Sequence, residues 1–271
     1  MRIGIAVLMI GVLSVGAGSA FAGNIYITGH DVLLHSGQNG YDDVVLDFLR
    51  DGTPTGSYSI GVIGSGVGFW AFTGGGQVKA GYGGTTFYNT NALNGNAALQ
   101  VAAVSHDVLI ILSHTSCGGC DLSTAGSTVI NTQMAAAITS AFNSGMDLWV
   151  NAGATLAQYY GFLPADFAAT GPPIGGVVFC ANAAGAALGL TNAMTQGFPT
   201  HNRFTAFDSS KLSVVETDCG TPSTQDISLV GKGIIIGDVP TVSEWGLIAM
   251  TLLLLAGGKI YFGRRTAVAR A

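Results

Sequence analysis

Five consecutive aliphatic residues in Asp107-Val108-Leu109-Ile110-Ile111-Leu112-Ser113 constrain the fold more than any other feature of this chain. Successive side chains of an extended strand point to opposite faces. The run is therefore apolar on both sides, and both sides must be covered. A parallel sheet between two layers of helices meets that requirement. The flanking sequence agrees. Residues 24–28 (NIYIT) form a short β-rich run that ends at Gly29. Tyr41–Arg50 places Val44, Val45, Phe48 and Leu49 on one helical face. A turn over 51–56 ends that helix, and 58–63 reads as the next strand. Residues 64–87, dominated by glycine and aromatics, read as a long irregular segment. Helices are expected over 91–104 and 128–143, with Gly145 ending the second and a strand following over 148–151. Such alternation implies βαβ units on a parallel sheet: an α/β three-layer sandwich. The stretch 161–238 is less regular. Strands are expected there at 177–180, 213–216 and 227–236, the last at an edge or in an antiparallel addition.

The two ends do not fit this alternation. Residues 1–22 place Arg2 before an apolar run and finish at Ala20-Phe21-Ala22, an A-x-A cleavage pattern. They read as a secretory signal peptide cut after Ala22, which implies passage through the secretion translocon. Near the other end, 245–258 is almost wholly apolar and continues through Ile260, Tyr261 and Phe262. A transmembrane helix over about 245–262 is expected, with Lys259 close enough to its end to snorkel. Arg264, Arg265 and Arg270 in the tail 264–271 would hold that end in the cytoplasm. The folded domain is then 23–238, and the segment 239–271 is a separate signal.

Charge narrows the partners. The chain has 10 basic and 15 acidic residues among 271. Between the signals stand five basic residues (Arg50, Lys79, Arg203, Lys211, Lys232) and fourteen acidic ones, a net of −9. So few cations cannot track a phosphate backbone, which excludes nucleic acid, and the net charge disfavours a large anionic substrate. With 48% hydrophobic residues, intrinsic disorder is also excluded. Neutral glycans remain acceptable partners, and Phe69, Trp70, Tyr82 and Tyr88 are aromatic platforms for sugar rings.

Val239-Pro240-Thr241-Val242-Ser243-Glu244-Trp245-Gly246, followed by the apolar stretch and the arginine cluster, resembles the IPTL-CTERM sorting signal. That signal is related to the PEP-CTERM signals of Gram-negative bacteria. Val239 and Val242 stand where its commonest form has Ile and Leu. The resemblance implies recognition by an exosortase-type membrane protease and removal of the tail after a transient single-pass anchorage. Delivery to the cell surface or extracellular matrix would follow, with exopolysaccharide or another matrix component as partner. The domain in turn resembles the class I glutamine amidotransferase-like group, a flavodoxin-like fold. The resembling pieces are the opening strand at 24–30, 142–153 (FNSGMDLWVNAG), 160–164 (YGFLP), 187–191 (ALGLT) and 198–204 (FPTHNRF).

In active relatives of that group, a cysteine nucleophile occupies the sharp turn after the strand corresponding to 148–151. Here the turn reads Asn151-Ala152-Gly153-Ala154-Thr155, without Cys or Ser, so glutaminase chemistry is not expected. The string Gly64-Ser65-Gly66-Val67-Gly68 runs into Phe69-Trp70 and lacks the acidic residue of a dinucleotide site; it reads as a loop. A polar set carries the remaining chemistry. His30, Asp31 and His35 follow the first strand, and His114, Cys117 and Cys120 follow the strand at 107–113. If these strands are neighbours, as in a flavodoxin-like order, the set converges on the crevice at their carboxyl ends, and His201 joins it from the second half. Such a group would hold zinc, or let a histidine activate a thiolate. Exported proteins oxidise their cysteines, and four cysteines allow three pairings. One of these joins Cys117 to Cys120 and Cys180 to Cys219. His106, before its strand, reads as solvated.

Three functions remain open. The leading one is an exported surface or matrix protein with a non-catalytic binding or structural domain. The second is a hydrolase or metal-dependent enzyme using His30, His35, His114 and Cys117. The third is a thiol oxidoreductase using Cys117 and Cys120.

Overall fold

Along the central strands, alternate side chains enter two separate apolar cores, one on each face of the sheet. Ile25 and Ile27 join the first core and Tyr26 the second; Leu109 and Ile111 divide in the same way from Val108 and Ile110, and Leu148 and Val150 from Trp149. The computed structural model describes residues 22–32, 40–65, 81–114, 122–174, 178–196, 200–220, 222–233 and 251. All but Thr251 belong to one compact unit, Ala20–Ile234. The expected signal peptide (save Ala22), His35, Cys117, Cys120 and the segment 239–271 (save Thr251) lie outside the described residues.

The elements run in this order: β1 (Ile25–Thr28), α1 (Tyr41–Arg50), β2 (Ser59–Gly64), β3 (Gly84–Asn89), α2 (Thr90–Leu93), α3 (Ala97–Ala103), β4 (Val108–Ile111) and α4 (Thr124–Val129). After a π-helical turn at Ile130–Met134 come α5 (Ala135–Asn143), β5 (Asp147–Val150), β6 (Ala169–Thr170), β7 (Phe179–Ala181), α6 (Ala183–Leu188) and α7 (Asn192–Thr195). The chain closes with β8 (Ala206–Phe207), β9 (Ser213–Asp218) and β10 (Asp226–Gly231). Among the described residues, eight strands form one sheet in the order β3-β2-β4-β5-β1-β10-β9-β7, and β6 and β8 make a separate pair. Pairings from β3 to β1 are parallel, and those from β1 to β7 are antiparallel. The protein is thus α/β, with a mainly parallel, mixed sheet.

Helix α1 covers one face through Tyr41, Val45, Leu46, Phe48 and Leu49, which pack with Tyr26, Ile110 and Trp149. The other face lies under Leu93, Ile130, Met134, Ile138 and Phe142 of the helices before β5, and under Tyr159 and Phe162 after it. Burial on both faces is what the aliphatic run demanded. Burying one such side chain contributes roughly 1.5–3 kcal/mol.

Several local expectations need correction. Residues 84–89 are a parallel edge strand, not part of an irregular segment. The strand GTTFYN is only partly buried, so no apolar run announces it, although its Thr and aromatic residues favour strand geometry. The helix expected over 91–104 is broken at Asn94-Gly95-Asn96, and Asn96 caps α3 by accepting from the Leu99 N–H. The next helix starts earlier than expected because Ser123 caps it at Thr124. Of the two placements expected for the strand at 227–236, the antiparallel addition holds and the edge does not: β10 lies between β1 and β9, antiparallel to both. Most consequentially, β1 and β4 are not neighbours: β5 lies between them.

Candidate site at the carboxyl ends of the parallel strands

The carboxyl ends of β1, β5 and β4 continue side by side as irregular backbone. The His114 N–H donates to the Ala152 carbonyl at 2.9 Å, and the Ala152 N–H to the His30 carbonyl at 3.1 Å. His30 and His114 therefore share one edge of the sheet despite the intervening strand. Their rings make different contacts. His114 meets the Thr124 hydroxyl at 3.0 Å, and partial burial lowers its pKa, favouring the neutral ring. The His30 ring is fully buried, with Nε2 3.1 Å from Glu216 Oε2 and Nδ1 3.4 Å from the Thr200 hydroxyl. Phe179 and Tyr41 pack edge-on against it.

Glu216, also fully buried, is the hub of this cluster. Its Oε2 accepts from Tyr41 at 2.9 Å and from the Ser228 hydroxyl. Because Tyr41 spends its proton on Glu216, it accepts from Tyr26 at 2.8 Å. By the same logic Ser228 accepts from Thr28, whose oxygen accepts the His30 N–H. Burial first, and then the Glu216 charge, push both phenols well above the ordinary tyrosine range, so both remain donors. Sheet register explains the assembly: Thr28 pairs with Ser228, and Ser228 with Glu216. Three adjacent strands thus place polar residues on one face, in the same layer as the apolar core.

The turn after β5 is held by a residue from the second half. Ala154 has φ 46°, a left-handed conformation uncommon for a residue with a Cβ. Asn202 grips it from both sides: the Ala154 N–H donates to Asn202 Oδ1 at 2.7 Å, and Asn202 Nδ2 donates to the Ala154 carbonyl at 2.9 Å. A further Nδ2 bond at 2.6 Å reaches the Gly171 carbonyl. The backbone passes so close to Gly29 that a Cβ there would lie 2.0 Å from the Asn202 carbonyl oxygen. Thr155, the only hydroxyl-bearing residue of this turn, is exposed.

Of the residues singled out from the sequence, His30 and Asp31 are buried at the end of β1, and His201 is half-buried beside Gly29, to whose carbonyl its N–H donates at 2.8 Å. Among the described residues, no three His, Cys, Asp or Glu side chains are placed to hold a metal ion. Cys180 and Cys219 form a disulfide, the pairing allowed for above. His106 is half-buried rather than solvated, 2.8 Å from the Tyr88 hydroxyl, and burial lowers its pKa. Sequence reasoning missed Glu216, Tyr41, Thr200 and Asn202. Glu216 carried one usable signal: it is the only glutamate outside the terminal signals, and it lies within a strand-like run.

The fold and this site define an α/β protein whose second half locks the ends of its parallel strands. Comparison with family models identifies an IPTL-CTERM motif at residues 239–265. That signal implies an exported protein, sorted to the cell surface by an exosortase-like system. No curated protein and no solved structure matches the chain.

Proposed function

We propose that the folded unit is a non-catalytic binding or structural domain of a surface or extracellular-matrix protein. We further propose that its parallel half is a degenerate class I glutamine amidotransferase-like, flavodoxin-like sheet. In this reading an exosortase-type protease removes the tail. Ala154 carries the proposal. The turn after the central strand retains left-handed backbone strain of the kind stored at catalytic turns, yet presents a methyl group where a nucleophile would stand. His30 supports the same view, since its ring is committed to the buried hydrogen-bond network around Glu216. The test is ammonia release from glutamine by the exported protein, beside an Ala154→Cys variant probed with iodoacetamide. No release by wild type, with rapid alkylation at position 154 in the variant, is expected. Measurable glutaminase turnover by wild type would overturn the proposal.

One observation favours a hydrolase as a second reading. Thr200, His30 and Glu216 stand in the order hydroxyl, imidazole, carboxylate, at 3.4 and 3.1 Å. A generic ester-hydrolysis screen with wild type and Thr200→Ala discriminates the two readings: activity lost on that substitution supports the hydrolase.

A further inference from the structure

A second feature lies at the opposite end of the sheet, over its antiparallel half. Between α1 and α6, strands β9 and β10 are left incompletely covered, and a cavity of about 380 Å³ opens there. Phe48, Leu188, Val215 and Val230 supply its apolar lining, and Lys211 and Lys232 its charge. Register places both lysines at the same end. Ser213 pairs with Val230, and Gly231 pairs with Ile25 at the start of β1, so Lys211 and Lys232 border the sheet at the end remote from His30.

The charge is against expectation. Residues 23–238 hold fourteen acidic and five basic side chains, yet two of the five line this cavity and no carboxylate does. Asp51 approaches the Lys232 ammonium at 3.3 Å from outside, but both side chains are about two-thirds exposed. Such a pair contributes little and yields readily to a competing anion. Ligand sites are commonly concave, mostly apolar and furnished with a few polar groups that fix orientation, at volumes of roughly 300–1,000 Å³. An apolar trough bordered by two cations matches a ligand with an apolar chain and one anionic head.

We propose that this cavity binds a single-chain anionic amphiphile of the fatty-acid type. The acyl chain lies against Phe48, Leu188, Val215 and Val230, and its carboxylate meets Lys211 and Lys232. The site is independent of the turn at Ala154 and does not depend on whether that turn is catalytic.

The full chain, in membranes of an exporting cell, is tested with a fatty acid bearing a diazirine and an alkyne. After irradiation, adducts are mapped by mass spectrometry. Adducts are expected on the peptides containing Leu188 and Val215, and an excess of unmodified palmitate should suppress them. Labelling there should fall at least fivefold in Lys211→Glu/Lys232→Glu. It should fall similarly in Ala184→Trp, which fills the cavity from α6, while the far-ultraviolet circular dichroism of both variants stays unchanged. Adducts confined to the apolar segment 245–262 would overturn the proposal. So would cavity labelling that is equal in wild type and both variants, or equal labelling by an uncharged glycerol ester of the same probe.

Discussion

Replacing both Cys180 and Cys219 by alanine tests how the antiparallel half of the sheet is held. The disulfide joins residues separated by 39 positions and ties β7 to the segment just after β9. Strand β7 has three residues and, among the described residues, lies at the edge of the sheet and pairs only with β9. Loop-closure entropy for roughly 40 residues is about 13 cal/mol/K, or about 4 kcal/mol at 25 °C. For a unit of this size each kcal/mol moves the Tm by roughly 2–4 °C. The double variant should therefore melt roughly 8–16 °C below wild type. Amide protection should fall first at Phe179, Cys180 and Ala181, because their pairing loses its covalent support. Circular-dichroism melts and hydrogen exchange on the exported protein read both effects. A Tm change under about 3 °C, with β7 protection intact, would refute the loop-closure reasoning. Free thiols at Cys180 and Cys219 in wild type would remove its premise.

Three further predictions follow from other parts of the molecule. Burial pushes the Asp147 carboxyl up to about 7, although the Tyr58 hydroxyl and the Asn24 N–H donate to it. A raised native pKa means tighter proton binding when folded, so this group lowers stability as pH rises from about 4 to about 7, by up to about 4 kcal/mol. Asp147→Asn should flatten the decline in Tm between about pH 4 and about pH 7, and parallel curves would contradict the assignment. Asn202→Ala leaves the Ala154 N–H and two carbonyls without their partner and should cost about 2–4 kcal/mol in urea denaturation; a cost below about 1 kcal/mol would show that Asn202 does not hold the turn. Trp245→Ala, or Glu in place of Arg264 and Arg265, should leave unprocessed protein in the cell envelope rather than at the surface. Unchanged fractionation and mass would count against sorting by this signal.

The parallel half of the fold was readable because its strands are buried on both faces, and an aliphatic run has few other uses in an α/β chain. Helix α1 was readable for a related reason, since its buried positions recur at helical spacing. Strand β3 was not: as an edge strand it needs no continuous apolar pattern, and its strand-favouring Thr-Thr-Phe-Tyr core directly follows a glycine-rich stretch that reads as a loop. Strand β10 was recognised as a strand and its antiparallel placement was one of two left open, because sequence pattern does not reveal which neighbour a strand will choose.

The candidate site divides in the same way. His30 and His114 stand where strand ends are expected, and sequence order is enough to mark them. The partner of His30 is Glu216, 186 residues away, and the clamp on Ala154 is Asn202, 48 residues away. Neither pairing has a local signature: sheet register and the insertion of β10 beside β1 create the first, and an isolated bridge of Asn202 with Pro173 positions the second. The cavity bordered by Lys211 and Lys232 also exists only because α1 and α6 leave a gap over β9 and β10. By itself, then, the sequence determined the α/β class and the IPTL-CTERM signal, because local periodicity and a linear motif are read without long-range contacts. Tertiary structure alone decided that the histidine expected in an open crevice is buried against a glutamate, because only packing brings those two strands together.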